Sequence, residues 1–321
     1  MSRATSQPGS AGPDPAADPA GTEATARRAD ATAVIVNYNS GDRLGPLLDV
    51  LLPEVRGVVV VDNASVDASL SGVEGRPGVA VLGNDSNRGF AAAANQGAAL
   101  GKGDWLLFVN PDTHLLPGQV SRLLWDVPAG VAAVAPLQVD EDGRPRSETG
   151  GYEPTLRRYL VWALLPVRFH GRFGPWLAPP FPTADVELAW VSGALLGVRR
   201  RLFEDFGGFD QRFFLYHEDV DLCRRARRAG WRIVCRAAVR LHHEVAHGEA
   251  GRRVNSGLRS VESLALDFEG GRRRALGAVL SLGFGLRALL AVGTTRRLAR
   301  AVLLPCLRLM IGGTPEGGTP G

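Results

Sequence analysis

The segment Phe213-Phe214-Leu215-Tyr216-His217-Glu218-Asp219-Val220-Asp221 sets three carboxylates directly after an aromatic run. Acids at the start of a helix interact favourably with its dipole. Asp221 also stands four residues before Arg225, the spacing of an ion pair on one helix face. These effects account for Asp221 better than for Glu218 and Asp219, which lie beside many bulky apolar side chains. Burial there raises a carboxyl pKa while the helix end lowers it. A base that stays ionised yet poorly solvated suits removal of a hydroxyl proton. Asp112, which follows an apolar run and a proline, is the second candidate. A carboxylate so placed can hold a hard cation that bridges to phosphate oxygens, although alone it is also an ordinary turn residue.

Residues 242–247, His-His-Glu-Val-Ala-His, contain HExxH from His243 to His247. In zinc hydrolases this pattern needs a long helix that puts both histidines on one face, with Glu244 as base. A third ligand would be Glu262 or Glu269. The context reads otherwise: Trp231–Leu241 has the pattern of a strand ending at His242 or His243, and Gly248 and Gly251 follow. The three cysteines, Cys223, Cys235 and Cys306, include no CxxC and are odd in number. That argues against a disulfide scaffold or a cysteine zinc site and fits a reducing compartment.

The elements that must position these groups alternate. Ala33–Val36, Val58–Val61, Val79–Leu82, Leu106–Val109 and Val131–Ala135 read as apolar strands. Arg43–Leu52, Ala91–Leu100 and Pro117–Trp125 read as helices between them. Strands apolar throughout, alternating with helices, predict an α/β fold with a mostly parallel sheet covered on both faces. Ligands bind beyond the carboxyl ends of such strands. Those ends carry Asn37-Tyr38-Asn39, Asp62-Asn63, Asn84-Asp85 and Asn110-Pro111-Asp112. Turns favour Asn and Asp in any case, but four polar clusters along one edge make a site. Residues 140–190, rich in Pro and Arg, read as loops and short helices, and Glu218–Gly230 as a helix stopped by glycine.

The chain has 321 residues, 45% of them apolar, enough for a substantial core. Its net charge of +4 is too mild to imply a nucleic-acid partner. Residues 271–311 hold eight Arg and no acid, so the rest of the chain is net negative. The expected organisation is a disordered tail over 1–30, an α/β domain over 31–268, basic amphipathic helices over 269–311 and a second disordered tail over 312–321. The apolar stretch around Arg287, about 20 residues, could just span a bilayer. The flanking arginines better suit helices lying on an anionic membrane surface, with ordinary packing against the domain as the alternative. The N-terminus lacks the apolar region of a secretory signal, so a cytoplasmic location is expected.

Six stretches together resemble the family 2 glycosyltransferases, in the rhamnosyltransferase-like branch that builds bacterial surface polysaccharides. They are Ala33–Ser40 (AVIVNYNS), Val59–Asp67 (VVVDNASVD), Asn87–Gly97 (NRGFAAAANQG), Phe108–Thr113 (FVNPDT), Trp190–Arg200 (WVSGALLGVRR) and Gly207–Trp231 (GGFDQRFFLYHEDVDLCRRARRAGW). The resemblance implies a GT-A fold, Rossmann-like, and an inverting displacement. The sugar, rhamnose from dTDP-rhamnose, would pass from a nucleotide-diphosphate donor to a lipid-linked or polysaccharide acceptor at the inner face of the plasma membrane. Asp219 takes the general-base position beside Glu218. Asp112 and His243 take the metal side with Mg²⁺ or Mn²⁺, His242 being one step away and left open. Asp62 matches the base-recognising aspartate, and Asn37, Tyr38 and Asn39 the loop beside nucleobase and ribose. Arg88 and Asn95 would face the donor, with Asn110 beside the metal aspartate and Gly193 in the sugar pocket. The sequence departs from the family in having one acid where a DxD motif has two, and in having His217 ahead of Glu218. A zinc hydrolase and a non-catalytic nucleotide-sugar binding module are the competing readings.

Overall fold

Near-continuous Val, Leu and Ala runs have no polar face to give to water, so each becomes a strand buried on both sides. The computed structural model of the protein describes residues 28–166, 170, 173–243 and 250–313. The expected tails lie outside the described residues for 1–27 and 314–321, as do Glu244 and His247 of the HExxH pattern. In chain order the elements are β1 (Ala29–Asn37), α1 (Leu44–Glu54), β2 (Val55–Asp62), β3 (Val79–Gly83), α2 (Phe90–Ala99), β4 (Trp105–Val109), β5 (Thr113–His114), α3 (Gln119–Leu124) and β6 (Val131–Val139). There follow β7 (Gly150–Gly151), α4 (Leu156–Leu164), β8 (Val186–Glu187), β9 (Trp190–Val191), β10 (Leu195–Arg199), α5 (Arg200–Asp205), α6 (Glu218–Arg228) and β11 (Arg232–His243). Three longer helices close the chain: α7 (Ala250–Leu266), α8 (Gly270–Leu290) and α9 (Gly293–Met310).

The main sheet runs β3-β2-β1-β4-β10-β6-β11-β5, with β8 paired to β11. β1 is parallel to β2 and β4, and β6 to β11, while β10 runs antiparallel between β4 and β6. Neighbouring residues separate to opposite faces: Val34 and Leu106 join one core with Phe108, Phe203 and Phe209, and Ile35 and Leu107 the other with Leu44 and Leu48. Register then does the positioning. Asn37 pairs with Asp62, Leu195 with Val109, and His243 with Thr113, so the polar strand ends collect along one edge.

A third core joins α4 to α7, α8 and α9 through Tyr159, Leu264, Phe268, Leu276, Leu280, Val302 and Leu309. The inner faces of the basic helices therefore pack on protein. Among the described residues no helix is long and apolar enough to cross a membrane. The three cysteines are free and buried, and burial pushes each thiol up to about 12, so they are unreactive.

Candidate active site

At the left of the polar edge, β1 and β2 end side by side. The Asn37 amide nitrogen donates to Asp62 Oδ1 at 2.7 Å and reaches Ser69 Oγ at 2.8 Å. Asp62 Oδ2 accepts from the Ser65 amide at 3.0 Å. The loop after β1 is laced to the loop after β2, because Asn39 accepts from Val66 N–H and donates its own N–H to Ser65 Oγ. Asn37 is wholly enclosed. It cannot touch a donor, as the resemblance implied; it holds Asp62, itself 7% exposed, from beneath, with Tyr38 at the rim.

Next along the edge, Asn63 ties three loops together. Its amide donates to Asn87 Oδ1 at 2.8 Å, and its oxygen accepts from the Arg88 N–H at 3.0 Å. Arg88 itself is exposed at the start of α2. Asn95 differs from expectation as well. It donates to the Phe209 carbonyl at 2.8 Å and accepts from the Phe209 N–H at 2.9 Å. Its amide is thereby spent on the turn before the acidic segment, and it positions rather than faces a ligand.

Beyond β4, the Asn110 N–H donates to the Ala194 carbonyl at 2.9 Å and its carbonyl accepts from Thr113, which fixes the turn carrying Asp112. Asp112 Oδ1 lies 3.1 Å from His243 Nε2, and His243 Nδ1 lies 3.2 Å from Gln138 Oε1. Geometry thus sets His243 beside Asp112, while the His242 ring lies against His114 at 4.9 Å. If Gln138 accepts Nδ1–H, the Nε2 lone pair confronts a carboxylate, an arrangement that a cation between them relieves. The donor set fits a divalent ion with affinity for both oxygen and imidazole. The HExxH reading fails on backbone grounds, since His243 sits in strand β11 and not on a helix. Of its proposed third ligands, Glu262 is paired with Arg259 at 3.0 Å.

The acids stand opposite. Asp219 Oδ2 accepts from the Gly193 N–H and Oδ1 from the Val220 N–H, both at 2.8 Å. Gly193 therefore meets the acid through its amide, between β9 and β10. Burial raises Asp219 above the usual carboxylate range, while the Gly193 N–H opposes that rise. Glu218 is more enclosed, 5% exposed, and Oε2 has no partner among the described residues. Burial, and then the Asp219 charge, hold Glu218 well above its ordinary value of 4.5. A carboxyl raised on folding favours the folded state at low pH and penalises it once the unfolded chain ionises. Stability should therefore fall as pH climbs from about 4.5 through the raised folded value. Glu218→Gln removes that slope, so its melting temperature should overtake wild type as pH rises. Paired thermal melts across that range check the result.

The segment feeding α6 is strained, with Tyr216 and His217 both at φ 69°. Such backbone costs about 1–3 kcal/mol per residue unless its surroundings enforce it. α7 supplies the enforcement. Ser263 Oγ donates to the Leu215 carbonyl at 2.7 Å, and the Tyr216 hydroxyl bonds Ser256. His217 Nδ1 lies 3.4 Å from Asp267, which Arg224 also holds at 2.8 Å. Asp267 is lowered from its ordinary value of 3.8 because its contacts with His217 and Arg224 outweigh its burial. Sequence reasoning missed this clamp. The only signal was a lone Asp closing a helix whose other polar residues look solvent-facing. Asp267→Ala should cost about 3 kcal/mol, since it leaves Arg224 buried with only Glu153 as partner. Urea unfolding measures it.

The mixed α/β sheet, with its polar strand ends gathered along one edge, has GT-A architecture. A mannosyltransferase from Pyrobaculum calidifontis, solved with GDP-Man and Mn²⁺, superposes with a TM-score of 0.52 at 18% identity, covering 89% of this chain and 84% of that one. The profile of glycosyl transferase family 2 matches residues 32–177. The N-acetylglucosaminyl-diphospho-decaprenol L-rhamnosyltransferase of Mycobacterium tuberculosis is 32% identical over 244 residues, 67% of this chain and 76% of that protein. The rhamnosyltransferase WbbL of Escherichia coli K12 is 38% identical over 131 residues, 40% of this chain and 48% of that one. The chain belongs to glycosyl transferase family 2, on its rhamnosyltransferase-like side.

Proposed function

We propose that the protein moves L-rhamnose from a dTDP-linked donor to a lipid-linked glycan acceptor in cell-envelope glycan synthesis, with inversion at the anomeric carbon. One observation carries the proposal: Asp112 and His243, 3.1 Å apart, lie at the same sheet edge as Asp62, and Asp219 is tied to that edge through the Gly193 N–H. Similarity to the mycobacterial enzyme, whose name specifies a rhamnosyl donor and a polyprenyl diphosphate acceptor, supports the choice of sugar and acceptor. A membrane-held acceptor of that kind supports the reading that the enzyme works at the inner face of the plasma membrane.

Asp219 takes the proton from the acceptor hydroxyl as its oxygen bonds to the anomeric carbon, and the bond from that carbon to the diphosphate oxygen breaks. Its raised yet still ionisable carboxyl suits that task, and the Gly193 amide keeps it aimed. Glu218, buried and with its carboxyl raised well above its ordinary value, disfavours a second negative charge beside Asp219. Asp62 and Tyr38 receive the nucleobase, and Arg88 offsets diphosphate charge. Asp112 and His243 would hold Mg²⁺ or Mn²⁺, which would supply positive charge against the departing diphosphate.

Thermal melts with dTDP, UDP and GDP, with and without Mn²⁺ or Mg²⁺, test this reading. dTDP with the cation should stabilise most, by about 2.7 kcal/mol at a hundredfold excess over Kd. No response to any nucleotide would overturn it.

A further inference from the structure

We infer that the turn between α8 and α9, with the adjoining end of α4, is a docking surface for an anionic phospholipid bilayer. The inference rests on the lipid-linked acceptor proposed above and names the surface that would bring the enzyme to it. Leu289, Leu290 and Val292 are 74%, 80% and 79% exposed, an unusual state for three large apolar side chains within four residues. The turn is built rather than frayed. Arg296 donates to the Leu289 carbonyl at 3.1 Å, and Arg287 lies over the Trp162 ring at 4.2 Å while donating to the Trp162 carbonyl at 2.8 Å. That second contact brings the end of α4 alongside, where Leu164 and Leu165 are also exposed.

Charge chooses the occupant. Residues 271–311 carry eight of the 37 basic residues and none of the 33 acids. Arg297 and Arg300 are exposed within two turns of the tip, and Arg272, Arg274 and Arg308 are exposed further along the hairpin. The remaining residues are net negative, so the α8–α9 hairpin is the positive part of the molecule, and Arg297 and Arg300 supply that charge beside the exposed leucines. Apolar side chains flanked by exposed arginines suit the headgroup boundary, where the chains enter the acyl layer and the guanidinium groups meet phosphate. A second copy seated on the same patch would set arginine against arginine. No described helix can span the bilayer, so the contact is peripheral.

Co-sedimentation of the full chain with vesicles tests the surface directly. Wild type should pellet with phosphatidylcholine vesicles containing phosphatidylglycerol, far less with pure phosphatidylcholine, and progressively less as salt rises. The double variant Leu289→Glu/Leu290→Glu should reduce the bound fraction roughly tenfold or more, and Arg297→Glu/Arg300→Glu should do likewise. Both should keep the wild-type melting temperature and its shift with dTDP, because the substituted side chains are exposed and outside the site. Wild type staying in the supernatant with anionic vesicles would overturn the inference. So would vesicle binding by the leucine variant equal to wild type. A dimer that this variant dissociates, without vesicle binding, would assign the patch to self-association and overturn it too. Failure of the donor reading shows in the nucleotide melts, and failure of this inference shows only in the vesicle pellets.

Discussion

Asp219→Asn is expected to lower glycosyl transfer roughly a thousandfold, the middle of the range for losing a general base. The substitution is nearly isosteric, and the amide oxygen can still accept from the Gly193 N–H that holds the carboxylate at 2.8 Å. Nucleotide binding should survive, since Asp62, Asp112 and His243 lie on other strand ends. The wild-type rate should also have an acid limb set by Asp219. Burial raises that carboxyl above its ordinary value of 3.8, so activity rises with pH through a value higher than an exposed aspartate would give. Single-turnover transfer with wild type and variant across pH reads both effects. Near-normal turnover in Asp219→Asn would remove it as the base.

The second large effect is expected at Asp112. Asp112→Ala removes one of two protein groups facing the cation position, and His243 alone holds a divalent ion poorly. Activity should fall about a hundredfold, and the additional thermal stabilisation that Mn²⁺ gives to bound dTDP should disappear. Stability without ligand should change little, because Asp112 is partly exposed and touches only His243 among the contacts described. Gln138→Ala gives an independent check. It removes the group that orients the imidazole, so cation affinity should drop by about tenfold or more while the Asp112 and His243 side chains remain. Titration of Mn²⁺ at fixed dTDP distinguishes the three proteins.

Much of this arrangement was legible in the chain. Apolar runs located β1, β2, β4 and β6, since a strand buried on both faces has no other composition open to it, and also β3, an edge strand that is only partly buried. Parallel pairing then forced their polar ends to one edge. What sequence could not separate was which polar residues at that edge point outward. Asn37 and Asn95 look like their neighbours, yet a side chain amide can satisfy donor and acceptor needs of buried backbone, and both are used that way. The choice between His242 and His243 depended on strand register, which a one-residue slip reverses. The α7 clamp on residues 215–217 was illegible for a different reason. Its partners lie 48 and 50 residues apart in sequence, and neither Ser263 nor Asp267 belongs to any local pattern. Gln138 was missed although it stands as a polar residue near the end of an otherwise apolar strand, VAAVAPLQV.

The central claim is group transfer, and mass spectrometry of the acceptor tests it most directly. The protein is incubated with dTDP-rhamnose, Mn²⁺ and an N-acetylglucosaminyl diphospho-polyprenol. Acceptor heavier by one deoxyhexose is expected, formed only with the cation and lost in Asp219→Asn. Unmodified acceptor, from a protein that still binds dTDP in the melts, would contradict it and leave a nucleotide-sugar binding module in place of an enzyme.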